Sequence, residues 1–267
     1  MKSIGHNSKP GQSRRGCALL LCLFFLAAPP LLAESHYLPA SRPDGVALLP
    51  PPPAPGSAEE AADLLAARAV FNGRTEAEKD HAFKTATLSI FNFAPAIGPC
   101  FEPGRFPKTE ELFQKVRKDI SEPVSRSKKH WKRRRPYELD PKLNLGRPET
   151  SYGYPSGHST RGTVQALLLA ELFPQRREGI LAIGRQIGWD RVLIGKHFPA
   201  DIHAARVLGQ AIARELLASP AFQRDLAEAK AEVRACAETS QNGPNPGLRS
   251  DAAQLPSTVP ALESERK

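Results

Sequence analysis

The sequence predicts an all-α protein whose core is a single helical bundle. Three observations carry that expectation. No convincing run of alternating β-branched residues marks a strand. Apolar residues recur at helical spacing instead, as in Ile180, Ile183, Ile187 and Ile194. Helix-start chemistry punctuates the chain: Ser57 is followed by Glu59 and Glu60, and prolines stand at 199 and 220.

Residues 1–33 have the pattern of a secretory signal. Lys2, Lys9, Arg14 and Arg15 precede an apolar stretch from Cys17 to Ala28. That stretch falls well short of the ~20 residues needed to span a bilayer. Cleavage is expected after Ala33, which points to export; a membrane anchor is the alternative reading of the same segment. The formal net charge of the chain is +9, and loss of those four cations leaves +5. A modestly basic protein suits an anionic substrate without demanding nucleic acid. No other stretch reaches transmembrane length, so no membrane is expected for the mature form. Cys100 and Cys236 are the cysteines left after cleavage. Compartment alone favours a disulfide between them over two unpaired thiols.

Residues 34–56 form a proline-rich arm, with Pro50 to Pro53 consecutive. It should be extended, either wrapped on the domain or loose. The helical domain is expected over 57–236. Its first helix starts at Ser57. A second is expected over Thr75–Phe91 and a third over Thr109–Ile120, separated by a Gly/Pro-rich loop. Ser159–Phe173 is apolar around much of its circumference, which marks a core helix. Gly179–Ile194 and Pro199–Ala218 follow, then an amphipathic helix from Ser219 to about Arg234. Residues 237–267 are polar, with scattered Gly, Pro and Ser, and are expected to be a disordered tail. Oligomeric state is left open, a homo-oligomer included.

The functional signal centres on Tyr154-Pro155-Ser156-Gly157-His158, just before the core helix. Ser156 is a good N-cap, and Gly157 lets backbone approach a ligand. A helix N-terminus presents free N–H groups and a positive dipole end, which suits an anion. His158 adds a proton donor. Lys128 and Arg135 precede this turn, seven residues apart and so two turns along one helical face, able to reach one ligand. Taken alone, the basic run Lys128–Arg135 reads as a solvated or polyanion-binding patch. Arg191, His197 and Asp201 follow the turn. A carboxylate four residues after an imidazole can hold one ring nitrogen protonated and leave the other free to attack. His203 lies about 200° round the helix from Asp201 and should point away. His158 and His197 are too few ligands for zinc, and Ser156 lacks a Gly-x-Ser-x-Gly elbow. Together these residues point to phosphate chemistry with no metal and no cofactor.

Lys128-x6-Arg135-Pro136, Pro155-Ser156-Gly157-His158 and Arg191-x5-His197-x3-Asp201 resemble the three-part signature of the phosphatidic acid phosphatase and vanadium haloperoxidase superfamily. Within it the chain is most similar to the bacterial class A non-specific acid phosphatases, over nearly the whole mature chain except the last thirty or so residues. The resemblance implies a periplasmic, all-helical phosphatase acting on small phosphate monoesters. Lys128, Arg135, Arg191, Ser156 and the Gly157 N–H would bind phosphate oxygens. His197 would be the nucleophile, oriented by Asp201, and His158 would protonate the leaving oxygen. Vanadate would inhibit such an enzyme. Two alternatives are a vanadate-dependent haloperoxidase on the same scaffold and a non-catalytic polyanion-binding protein. One position departs from the family, which usually has Ser before the third-motif Arg. Asp190 stands there, either competing with phosphate for Arg191 or pointing away to cap the helix end.

Overall fold

Helices and their connections make up everything between residues 35 and 241, the residues described in a computed structural model of the chain. The expected signal at 1–33 and residues 242–267 of the expected tail lie outside them. In order come α1 (Gly45–Leu48), α2 (Ala58–Gly73), α3 (Glu76–Lys84), α4 (Ala94–Ile97), α5 (Pro107–Trp131), α6 (Pro136–Leu139), α7 (Gly157–Leu172), α8 (Arg177–Leu193), α9 (Pro199–Ala218) and α10 (Pro220–Gln241). None of the described helices is long and apolar enough to cross a membrane.

The expected core helix, α7, is at the centre. Val164, Leu168, Leu169 and Leu172 of α7 are buried, and α8 and α9 pack along it. Close approach depends on small residues. A Cβ placed on Gly184 of α8 would lie 2.5 Å from the Ala166 Cβ and 3.1 Å from the Gly162 carbonyl oxygen. Any larger residue there would push α8 off α7. On the other side, α10 lays Phe222, Leu226, Ala229 and Val233 against the core, at helical spacing. Burying the Phe, Leu or Val side chain contributes about 1.5–3 kcal/mol each. Cys100 and Cys236 are joined in a disulfide, tying the loop before α5 to α10 across 136 residues of sequence.

The proline-rich arm is wrapped on the domain. The backbone N–H groups of His36 and Tyr37 each donate to the Asp119 carboxylate at 2.8 Å. Tyr37 donates its hydroxyl to Asp225 and buries its ring beside Phe222. Farther along, the Tyr154 hydroxyl donates to the Pro50 carbonyl at 2.6 Å. The arm therefore reaches the turn that carries Ser156.

Three helix boundaries depart from the sequence expectation. The second expected helix stops at Lys84. Thr85 turns its hydroxyl onto the Ala82 carbonyl and the Asp190 carboxylate, and Ser89 caps a separate 3-10 turn, Ile90–Phe93. The third runs eleven residues beyond Ile120, through Pro123 to Trp131. The missing N–H of Pro123 is outweighed by a continuous buried stripe of Ile120, Val124, Ser127 and Lys128. The last helix runs to Gln241, past Arg234 and into the expected tail, held by the Cys236 bridge.

Candidate active site

The end of α5 decides where the basic run points. The helix stops at Trp131 and Lys132 takes a left-handed conformation, φ 48°. Lys128 and Arg135 are thus not on one helical face, contrary to the spacing argument. Arg135 instead precedes α6 in extended backbone. The run then splits: Lys128, Arg133 and Arg135 turn inward and are buried, while Lys129, Lys132 and Arg134 face solvent.

The inward cations meet α7 and α9 at a cavity of about 250 Å³. Lys128, Arg135, Gly157, His158 and His197 line it, with Glu149. A Cβ on Gly157 would meet nothing closer than the Val124 Cγ1 at 3.7 Å. Packing therefore does not require glycine here, and its absent side chain leaves the helix N-terminus open to the cavity. Ser156, fully buried, caps α7 by accepting from the Ser159 N–H. That leaves its own O–H free to donate.

His197 is held on both ring nitrogens. Nε2 lies 3.2 Å from the Arg135 Nη1, and a guanidinium only donates, so Nε2 carries the lone pair. Nδ1 lies 3.0 Å from the Asp201 Oδ2 and must carry the proton. The same Oδ2 accepts from the Phe198 N–H at 3.0 Å, and Oδ1 accepts from the Arg133 Nη1 at 2.6 Å. The Arg133 Nη2 continues to Asp63, 2.7 Å away, which accepts in turn from the Ala200 N–H. Burial, then Arg135, Lys128 and Arg191, hold the His197 imidazole well below its ordinary pKa. Burial pushes the Asp201 carboxyl up, opposed by the Arg133 guanidinium.

His158 is held differently. Its Nε2 lies 3.0 Å from the Ala86 carbonyl, which only accepts, so Nε2 carries a proton. That carbonyl is on the segment where the expected second helix breaks off. Burial, and then Arg191, push the His158 pKa down to about 4. Lys128 is likewise pushed down to about 7, by burial and then by Arg135.

Arg191 is buried, with Nη2 2.7 Å from Glu149. Its Nε and Nη1 have no partner among the described residues. Asp190 points away from it. Its carboxylate accepts from Thr85 at 2.6 Å and Gln186 at 2.7 Å, with the His81 ring 3.2 Å away. The group that engages Arg191 is Glu149.

Of the predicted site residues, Lys128, Arg135, Gly157, His158 and His197 line this cavity; Arg191 and Asp201 do not, and reach it through the lining residues Glu149 and His197, and Ser156 is fully buried beside Gly157. His203 is exposed, as its helical angle predicts. Arg133, Glu149 and Lys196 escaped the sequence reading. Arg133 was hidden in a charge run, although Phe198 stacks under its guanidinium at 4.1 Å. Lys196, one residue before His197, is buried and donates to the Arg147 carbonyl at 2.9 Å. That bond anchors the loop carrying Glu149. No group of three or more His, Cys, Asp or Glu side chains is placed to hold a metal ion among the described residues.

Residues 119–225 match the PAP2 superfamily, so that the match holds the end of α5, the Ser156 turn and the His197–Asp201 pair together. The chain is also similar along most of its length to individual curated phosphatases. It is 30% identical to a non-specific acid phosphatase of Providencia stuartii, over 78% of this chain and 90% of that protein. It is 27% identical to an acid phosphatase of Zymomonas mobilis, over 76% and 80%. A non-specific acid phosphatase of Salmonella typhi is 30% identical over 68% and 78%. The protein belongs to the PAP2 superfamily. Within it, the chain is a member of the non-specific acid phosphatases and is a phosphatase enzyme.

Proposed function

We propose that the protein is a periplasmic acid phosphatase that hydrolyses small phosphate monoesters through a phosphohistidine on His197, without a metal. One observation carries the reading: Arg135 and Asp201 together fix His197 in the tautomer whose lone pair is on Nε2, at the cavity, and a phosphate that draws the Arg135 guanidinium onto its oxygens would release that lone pair for attack.

On this reading the phosphate sits among Lys128, Arg135 and Arg191, with the Ser156 hydroxyl and the first N–H groups of α7 on its remaining oxygens. These donors stabilise charge on the equatorial oxygens of an in-line displacement. The His197 Nε2 lone pair forms a bond to phosphorus. The P–O ester bond breaks and its electron pair stays on the leaving oxygen. His158 gives that oxygen the proton on Nδ1, since Nε2–H is spent on Ala86. Asp201 stabilises the cationic ring of His197 as it forms. Water then attacks phosphorus, neutral His158 takes its proton, and the P–N bond breaks. The three cations supply the charge that a divalent ion would otherwise bring.

Export is supported by the basic and apolar segments of residues 1–33 and by the Cys100–Cys236 bridge, which suits an oxidising compartment. Polyanion binding is less favoured, because half of the basic run is buried: Lys128 and Arg135 line the cavity and Arg133 lies behind it on Asp201. The test is phosphate release by the purified mature protein with chelator present. Turnover unchanged by chelator, inhibition by vanadate, and an acid-labile, base-stable phosphoenzyme on rapid quench are the expected results. Activity lost to chelator and restored by a divalent ion, or phosphate trapped on Ser156, would overturn the reading.

A further inference from the structure

Arg161 is not used by the proposed chemistry, yet it lines the same cavity. It stands one turn after Gly157 on α7, half-buried, and has no hydrogen-bond or ion-pair partner among the described residues. Burial, and then the nearby Arg117 guanidinium, disfavour its charge, and no carboxylate offsets them. An arginine held in a cavity wall without an acid is costly. Every other guanidinium at this site has an acceptor: Arg133 has two carboxylates, Arg135 has carbonyls, and Arg191 has Glu149.

Its position along the wall is informative. Arg161 bears electrostatically on His158, the side from which the leaving oxygen would depart. The facing wall is one stripe of α5: Ile120, Ser121, Val124, Ser125 and then Lys128. Lys128 marks the phosphate end of that stripe. Ser121, one turn beyond Arg117, marks the other. A ligand extending from the phosphate past His158 therefore runs over a short apolar floor toward Arg161 and Arg117.

We propose that Arg161 anchors a second anion subsite on the leaving-group side, so that the favoured substrates are small bisphosphorylated molecules. The phosphoryl group to be removed occupies the Lys128–Arg135–Arg191 end. The second one takes the guanidinium fork of Arg161, which matches two phosphate oxygens at once. The solvent-exposed Arg117 adds positive potential at the mouth. This inference rests on the phosphatase reading for which group is cleaved, but not for what is bound.

The test separates the two by using phosphonates, which bind without being hydrolysed. Calorimetry should show propane-1,3-bisphosphonate binding the wild type about tenfold more tightly than propylphosphonate, the scale of one charge-assisted contact. In Arg161→Gln that ratio should fall to near one, and Arg161→Lys should restore part of it. Propane-1,3-diyl bisphosphate should likewise be turned over with a lower KM than propyl phosphate. Equal binding of the two phosphonates by wild type, or a preference that survives Arg161→Gln, overturns the subsite. Absence of phosphate release from both esters, with the binding preference intact, would fault the phosphatase reading and leave the subsite standing. Should Arg161→Gln fail to fold, the wild-type ratio and its persistence in Arg161→Lys decide the matter.

Discussion

The two histidines of the cavity are built to different standards. His197 is fixed at both nitrogens, and the support behind it runs through Asp201, Arg133 and Asp63 from three separate parts of the chain. His158 hangs from one backbone carbonyl, beside Glu149 and an unpartnered Arg161. The difference teaches where this protein is free to vary. A group that must attack phosphorus in every turnover gains from being over-determined. The side that receives the alcohol needs only a proton donor at the right place, and its remaining walls can follow the substrate.

The largest expected effects fall on the over-determined side. His197→Ala should reduce phosphate release to background on every ester, because no other group replaces the Nε2 lone pair. Asp201→Asn should keep the shape but present an amide to Nδ1, losing the preference for the attacking tautomer. A fall in kcat approaching 10⁴-fold is expected by analogy with carboxylates that orient catalytic histidines. Steady-state rates on an alkyl and an aryl phosphate would check both. Substantial activity left in His197→Ala on either ester would erase the asymmetry between the histidines.

His158→Ala should separate the two sides. An alkoxide leaves badly without a proton, so alkyl phosphates should lose about 10²–10⁴-fold. p-Nitrophenyl phosphate should lose much less, as long as phosphoenzyme hydrolysis is not limiting. The pH profiles carry the same signature. His158 donates only when protonated, and in the free enzyme its pKa is pushed down to about 4. A bound phosphate dianion favours the imidazolium and raises that value. The descending limb of kcat should therefore lie at higher pH than that of kcat/KM. Lys128, pushed down to about 7, adds a second loss of phosphate binding as pH rises through neutrality. Coincident limbs for kcat and kcat/KM would show that His158 is not coupled to the bound phosphate.

Arg133 tests the depth of the support behind His197. Arg133→Met would leave Asp201 and Asp63 buried without their cation, a loss of about 3–5 kcal/mol in denaturant unfolding. The fall in activity should appear in kcat more than KM, since Arg133 does not line the cavity. Arg133→Lys should recover part of both. A KM effect with unchanged stability would place Arg133 at the phosphate instead.

Much of this contrast was legible in the sequence. The Ser156 cap, the His197–Asp201 spacing and the apolar α7 are local patterns, and local patterns survive folding. Helix α9 runs over Pro199–Ala218 as read, because Pro199 sets its start chemically. What was hidden depends on tertiary partners. Nothing local tells that α5 continues through Pro123, that the chain turns at Lys132, or that alternate members of a basic run face inward. The break after Lys84 is of the same kind. Thr85 leaves the helix for Asp190, a residue 105 positions away, and Ala86 is thereby placed to receive His158. Asp190 was visible as a departure from the family, but its direction was not. Glu149 had no motif to announce it.

Those two carboxylates provide the smallest expected effect. Asp190 is fully buried and holds Thr85 and Gln186. Asp190→Ser should leave KM unchanged and cost about 1–3 kcal/mol of stability, the penalty of stranding buried hydrogen-bond partners. Glu149 is the reverse case. Its side chain is 34% exposed and holds the Arg191 Nη2, so incoming phosphate must share or displace it. Arg191 is buried but Glu149 is open to water, and screening at that exposed partner keeps the pair's worth to about 0.2–1 kcal/mol. Glu149→Gln removes the competing charge, keeps the shape, and should lower KM for a simple phosphate ester by about 1.4- to 5-fold. Stability should barely move. The cavity near His158 also becomes more positive, so His158 protonates less readily in the free enzyme and the descending limb of kcat/KM should shift to lower pH. A raised KM in Glu149→Gln would mean that the carboxylate holds Arg191 in place for phosphate instead of competing for it.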